Sequence, residues 1–190
     1  MKRLILIILA ISVLFLTSCG STKENERLTV SQIEALREEY PVCGKKLHPL
    51  IDIAETDFED SLKRAETFVY CEITGNATYS ENAYGEFFEY PVTVIYDTEK
   101  LYKKGETFTL YANKYFEEYN PSFRKGMKAI VPVITPENNP SKKSYGVIGS
   151  YYVTPEGFAI SAFDEEKLSE EKLSGLKADA IMKRIRILRR

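Results

Sequence analysis

The chain has no tryptophan, a single histidine (His48) and three cysteines (Cys19, Cys43 and Cys71) among 190 residues. Beyond Cys19 only two cysteines and one histidine remain, short of the four Cys or His side chains of an ordinary zinc centre. No glycine-rich phosphate loop occurs. Asp57-Phe58-Glu59-Asp60 lacks the alternating oxygen ligands of a calcium loop. No repeat or low-complexity tract is present. The chain also lacks an excess of one charge, since 26 basic and 28 acidic side chains leave a formal charge of −2. That balance argues against a nucleic-acid partner, and no cofactor is implied. Long apolar runs are missing with one exception. Residues 4–16 are uncharged throughout, yet they fall short of the roughly 20 residues that span a bilayer.

What is present begins with that run. Lys2 and Arg3 precede it, which gives the layout of a secretory signal: a positive start, an apolar middle and a small-residue end. The run closes on Leu16-Thr17-Ser18-Cys19. This tetrapeptide resembles the lipobox of bacterial lipoproteins, a Leu and two small residues before a Cys. The resemblance implies that residues 1–18 are a signal peptide cut between Ser18 and Cys19. It also implies that Cys19 carries diacylglycerol, which places the protein outside the cytoplasm on a bacterial membrane. Two acyl chains suffice for stable attachment where one does not. An ordinary secretory signal is the alternative. Without residues 1–18 the chain loses Lys2 and Arg3 and no acid, so its charge falls to −4.

Residues 19–29 hold the Cys and a small polar tether. Residues 30–65 form an amino-terminal helical segment. Ser31-Gln32-Ile33-Glu34 fits a capping box, predicting a helix to about Glu39, and Thr56-Asp57-Phe58-Glu59 opens a second to about Arg64. From Thr67 the period becomes two. Val69, Cys71 and Ile73 form one face, with Phe68, Tyr70 and Glu72 on the other. Further strands are expected over residues 86–96, with Val92, Val94 and Tyr96 on one face, and over residues 107–112. An apolar strand over 127–134 carries Pro132, the mark of an edge or a bulge. A strand bent at Gly149 then leads through Pro155-Glu156-Gly157 into a hairpin. Residues 163–190 read as a carboxy-terminal helix with acids before it and Lys183 to Arg190 ending it. Those bases are the solvated end of a helix, or alternatively a contact for anionic headgroups.

The pattern predicts a mainly β (α+β) domain, a small antiparallel barrel of five to six strands over residues 66–162 with flanking amino- and carboxy-terminal helices. Four pieces carry a resemblance to the OB-type barrel of netrin-module and TIMP-like domains. They are Lys63-Arg64-Ala65-Glu66-Thr67-Phe68-Val69, Leu101-Tyr102-Lys103-Lys104-Gly105, Phe123-Arg124-Lys125-Gly126-Met127 and the hairpin over 152–160. The resemblance implies a fold and not an activity. The metal-engaging amino-terminal Cys of TIMP-like inhibitors does not transfer, because Cys19 is expected to carry lipid.

Chemistry-bearing groups are sparse. Cys43 and Cys71 either form a disulfide, which export permits, or stay as two small apolar side chains. Cys43 with His48 is a conceivable nucleophile pair lacking a third, orienting group. Glu86 with Glu89 and Glu117 with Glu118 are carboxylate pairs of the kind solvated surfaces usually carry. No catalytic or metal-binding residue is assigned. The aromatic cluster Tyr111, Tyr115, Phe116, Tyr119 and Phe123 is the candidate binding surface, with packing over one barrel end as its alternative. The expected protein is a membrane-anchored, non-enzymatic binding domain with an envelope protein or glycan as ligand. An envelope hydrolase and a subunit of an envelope complex are the alternatives.

Overall fold

A computed structural model describes residues 26–44, 57–83, 85–136 and 143–190. Residues 1–25, Cys19 among them, and His48 lie outside them. Eight strands make one sheet: β1 (Thr67–Ile73), β2 (Thr78–Asn82), β3 (Gly85–Asp97), β4 (Thr107–Asn113), β5 (Lys128–Ile134), β6 (Lys143–Tyr145), β7 (Tyr151–Val153) and β8 (Ala159–Ser161). Their order β1-β3-β4-β6-β5, closed by β5 pairing with β1, is a five-stranded OB-like barrel. All its pairings are antiparallel except β4 with β6. β2 extends the sheet beyond β3, while β7 and β8 continue from β5.

β1 shows why the barrel closes where it does. Val69, Cys71 and Ile73 point inward with Val92, Val94, Leu110, Ala129 and Val131. Phe68 and Tyr70 point outward, into a second cluster with Phe58, Leu62, Ile130, Tyr151, Phe163, Ile181 and Ile185. Both faces of β1 are therefore covered, the outer one by α2 (Phe58–Arg64) and α4 (Ala178–Leu188). Burying a large apolar side chain contributes about 1.5–3 kcal/mol, so a strand buried on both faces is the firmest part of the fold. Gly149 lies close against this outer layer. Its φ is +91°, and a Cβ there would sit 3.0 Å from the Phe68 ring and 3.1 Å from Ser61 Oγ.

Several elements differ from the sequence-level expectation. The first helix, α1 (Val30–Ala35), is capped by Thr29 rather than Ser31. Thr29 Oγ1 accepts from the Gln32 N–H, and Gln32 Oε1 accepts from the Thr29 N–H at 2.8 Å. Tyr96 does not share a face with Val92 and Val94. The ladder pairs Tyr70 with Tyr96 and then Cys71 with Val94, so Ile95 is an extra residue and the inward-outward alternation flips there. Pro132 is on an interior strand, yet β7 pairs with β5 only through Ile130 and β6 only from Val133. It sits in the gap between these partners, where no donor is wanted on that side. The bent strand is two strands, β6 and β7. The tail is two helices, α3 (Glu165–Leu168) and α4, because residues 174–177 instead run beside β8 and Arg27, with Gly175 at φ +88°. No helix among the described residues is long and apolar enough to cross a membrane.

Candidate functional site

The β3–β4 ladder has two chemically different ends. At one, the β2–β3 hairpin projects past the barrel and meets a 3-10 helix, Lys114–Tyr119. Asn113 sets the start of that helix by accepting the Tyr115 N–H at 2.9 Å. The hairpin register places Glu81 opposite Glu86, and like charges across a ladder repel. Two contacts relieve this pair. Lys114 Nζ reaches Glu86 at 2.9 Å, and the Tyr79 hydroxyl donates to Glu81 at 3.3 Å. The Lys114 ammonium also lies 4.9 Å from the centre of the Tyr79 ring. It holds the Glu86 carboxyl below its ordinary range, with Tyr79 assisting.

Around these charges stands an aromatic ledge. Tyr79 is 50% exposed and Tyr115 62%. Half-buried Phe87 meets Tyr111 edge-on at 6.4 Å, and Phe116 meets Tyr115 edge-on at 5.4 Å. The expected cluster thus divides. Tyr111, Tyr115 and Phe116 are accessible at the ledge. Tyr119 is buried, and Phe123 packs inside the barrel against Tyr90 and Tyr145. Tyr79 and Phe87 were not expected. Tyr79 sits in the polar stretch before Gly85, legible only as one arm of a hairpin, whereas Phe87 lies within the expected strand over 86–96.

The other candidate groups do not converge. No disulfide joins Cys43 to Cys71. Cys71 points into the barrel, and burial pushes its thiol up to about 12, which keeps it protonated and inert. Cys43 is fixed by its N–H to the Ala162 carbonyl at 2.8 Å, with Sγ 3.4 Å from the Tyr152 hydroxyl. Burial raises that phenol well above its usual range, and the Cys43 sulfur adds to it. A neutral phenol of this kind is a poor base for a thiol. Glu86 and Glu89 are three apart on β3 and project from opposite faces. Among the described residues no three His, Cys, Asp or Glu side chains are grouped to hold a metal ion.

At the opposite end of the ladder, Asp97 organises the β3–β4 turn. Its Oδ1 accepts from Thr67 Oγ1 and from the Glu99 N–H, and its Oδ2 accepts the Tyr102 N–H at 2.7 Å. Lys100 takes φ 62° in that turn. Tyr102 stacks on Phe108 at 4.5 Å beneath it. No protein-family model matches the chain, and no curated protein shows significant similarity to it. The fold therefore defines the class, an OB-like barrel with helical flanks, and the reading of function rests on the chain's own residues.

Proposed function

We propose that this is an exported lipoprotein, held on a bacterial membrane through lipid on Cys19, whose barrel binds an envelope protein or glycan at the aromatic ledge. Leu16-Thr17-Ser18-Cys19 after the apolar run supports the anchor. The binding reading is carried by one observation: Tyr79 and Tyr115, both half or more exposed, stand at one barrel end beside Lys114. Exposed tyrosines offer flat apolar area with a hydroxyl, and aromatic anchors dominate binding energies. Barrels of this class commonly bind through a sheet face and its adjoining loops.

The test is a double substitution, Tyr79→Ser with Tyr115→Ser, in the anchored protein. Both side chains are exposed, so thermal stability is expected to stay close to the parent's. Cell-wall glycan sedimentation and in-cell crosslinking of the parent and the variant are then compared. A drop of tenfold or more in either readout, with stability retained, supports the ledge. Binding undiminished in both removes it.

A further inference from the structure

We infer that the end of the barrel opposite the ledge is a membrane-contacting rim, so that an anionic bilayer orients the domain with its ledge pointing outward. This rests on the anchored reading of the chain. The rim is assembled from three elements far apart in sequence. The β3–β4 turn contributes Lys100, Lys103 and Lys104. The carboxy-terminal end of α2 contributes Arg64, and that of α4 contributes Arg190. They meet because Arg189 donates to the Ala65 carbonyl at 2.7 Å and lies 3.6 Å from Glu99.

The acids at this end are already occupied. Glu99 pairs with Arg189, Glu66 with Lys143 at 3.3 Å, and Glu106 accepts the Lys103 N–H at 2.8 Å. Arg64, Lys100, Lys103, Lys104 and Arg190 have no carboxylate partner among the described residues. Two of the three elements each expose an apolar side chain, Leu101 in the turn at 58% and Ile187 in the last turn of α4 at 52%. Cations around exposed aliphatic groups match a surface of anionic headgroups over hydrocarbon. The same mixture suits a soluble polyanion poorly, because Leu101 would gain nothing.

Distance permits the contact. From Cys19 to Glu26 the chain can reach at most about 25 Å. The domain begins at Arg27, bridged to Leu176 just before α4, and the 11 residues of α4 span only about 16 Å to the rim. Rim and ledge are separated by β4, whose seven residues extend about 20 Å. With the rim on the headgroups, Tyr79 and Tyr115 face away from the membrane. Asp97 keeps the turn ordered before any lipid is met.

The absence of tryptophan provides the test. The full chain is expressed with Leu101→Trp or, separately, Tyr115→Trp. The purified protein is mixed with phosphatidylcholine vesicles, or with vesicles that also contain phosphatidylglycerol. Anionic vesicles are expected to shift the Leu101→Trp emission to the blue and to shield it from a soluble quencher severalfold. Neutral vesicles should do neither, and Tyr115→Trp should stay solvent-like in both. Adding Lys100→Gln, Lys103→Gln and Lys104→Gln should abolish the shift. Unchanged Leu101→Trp emission on anionic vesicles, a shift at Tyr115→Trp instead, or the same blue shift with soluble heparin would each overturn the rim. The anchor is read separately, by co-sedimentation with neutral vesicles. Protein that sediments with these but shows no shift on anionic ones keeps the anchor and loses the rim. Protein that shifts on anionic vesicles without sedimenting with neutral ones keeps the rim and loses the anchor.

Discussion

Two buried tyrosines should respond in opposite directions to the loss of one oxygen. Tyr151 is fully buried, and its hydroxyl has no hydrogen-bond partner among the described residues. Glu165 is its electrostatic neighbour and, after burial itself, the main reason the phenol stays high, but the geometry makes no hydrogen bond. Leaving a buried hydroxyl unsatisfied costs about 1–3 kcal/mol. Tyr151→Phe removes that cost and keeps the ring, which meets Phe163 edge-on at 5.6 Å. A gain of about 1 kcal/mol is expected. Tyr145 is also buried, but its hydroxyl donates to the Pro121 carbonyl at 2.9 Å. Tyr145→Phe strands that carbonyl and should lose about 1–2 kcal/mol. For a domain of this size each kcal/mol moves Tm by about 2–4 °C, so calorimetry separates the pair by several degrees. If Tyr151→Phe loses as much as Tyr145→Phe, the hydroxyl has a partner and this account of the outer cluster is wrong.

Glu165 gives a pH prediction. Its carboxylate accepts the Leu173 and Ser174 N–H groups, and burial raises its pKa above the ordinary value despite them. The folded state then holds the proton more tightly than the unfolded one. Its contribution is full below the unfolded-state pKa and is lost as pH rises through the raised folded value. Glu165→Gln should flatten that stretch of the stability curve in urea titrations, and an unchanged slope would contradict it. Gly149→Ala combines left-handed strain with contact on Phe68 and should destabilise by about 1–3 kcal/mol; a neutral result in thermal melts would mean the outer layer yields easily. Cys71 should resist alkylation until the protein unfolds, and mass spectrometry of native, unreduced protein that finds Cys71 labelled at once would refute its burial.

The barrel was legible where burial imposes a period. Val69, Cys71 and Ile73 against Phe68 and Tyr70 read as a strand because both faces are packed. The hairpin at Pro155-Glu156-Gly157 read correctly because Gly157 takes φ +86° there. β2 was missed because an exposed edge strand carries no apolar alternation, only Tyr79 among polar neighbours. The flip at Tyr96 was invisible because a bulge is a property of the pairing and not of one strand. The single-helix reading of the tail failed because leucines at helical spacing equally suit a segment whose Leu173 is buried by packing beside β8. Of the aromatic ledge, Tyr111, Tyr115 and Phe116 were legible in the sequence as a cluster. Tyr79 joins them only through the β2–β3 pairing, and Phe87 through the β3–β4 ladder. The rim needed Arg189 to reach Glu99, ninety residues away by sequence, and local patterning cannot predict such a contact.

The central claim is that the domain works from a membrane to which Cys19 ties it. Mass spectrometry of the amino-terminal peptide from the membrane-extracted protein tests this most directly. The account predicts a chain that begins at Cys19 with diacylglycerol in thioether linkage. A mature chain beginning at any other residue, or an unmodified Cys19 thiol, would contradict it.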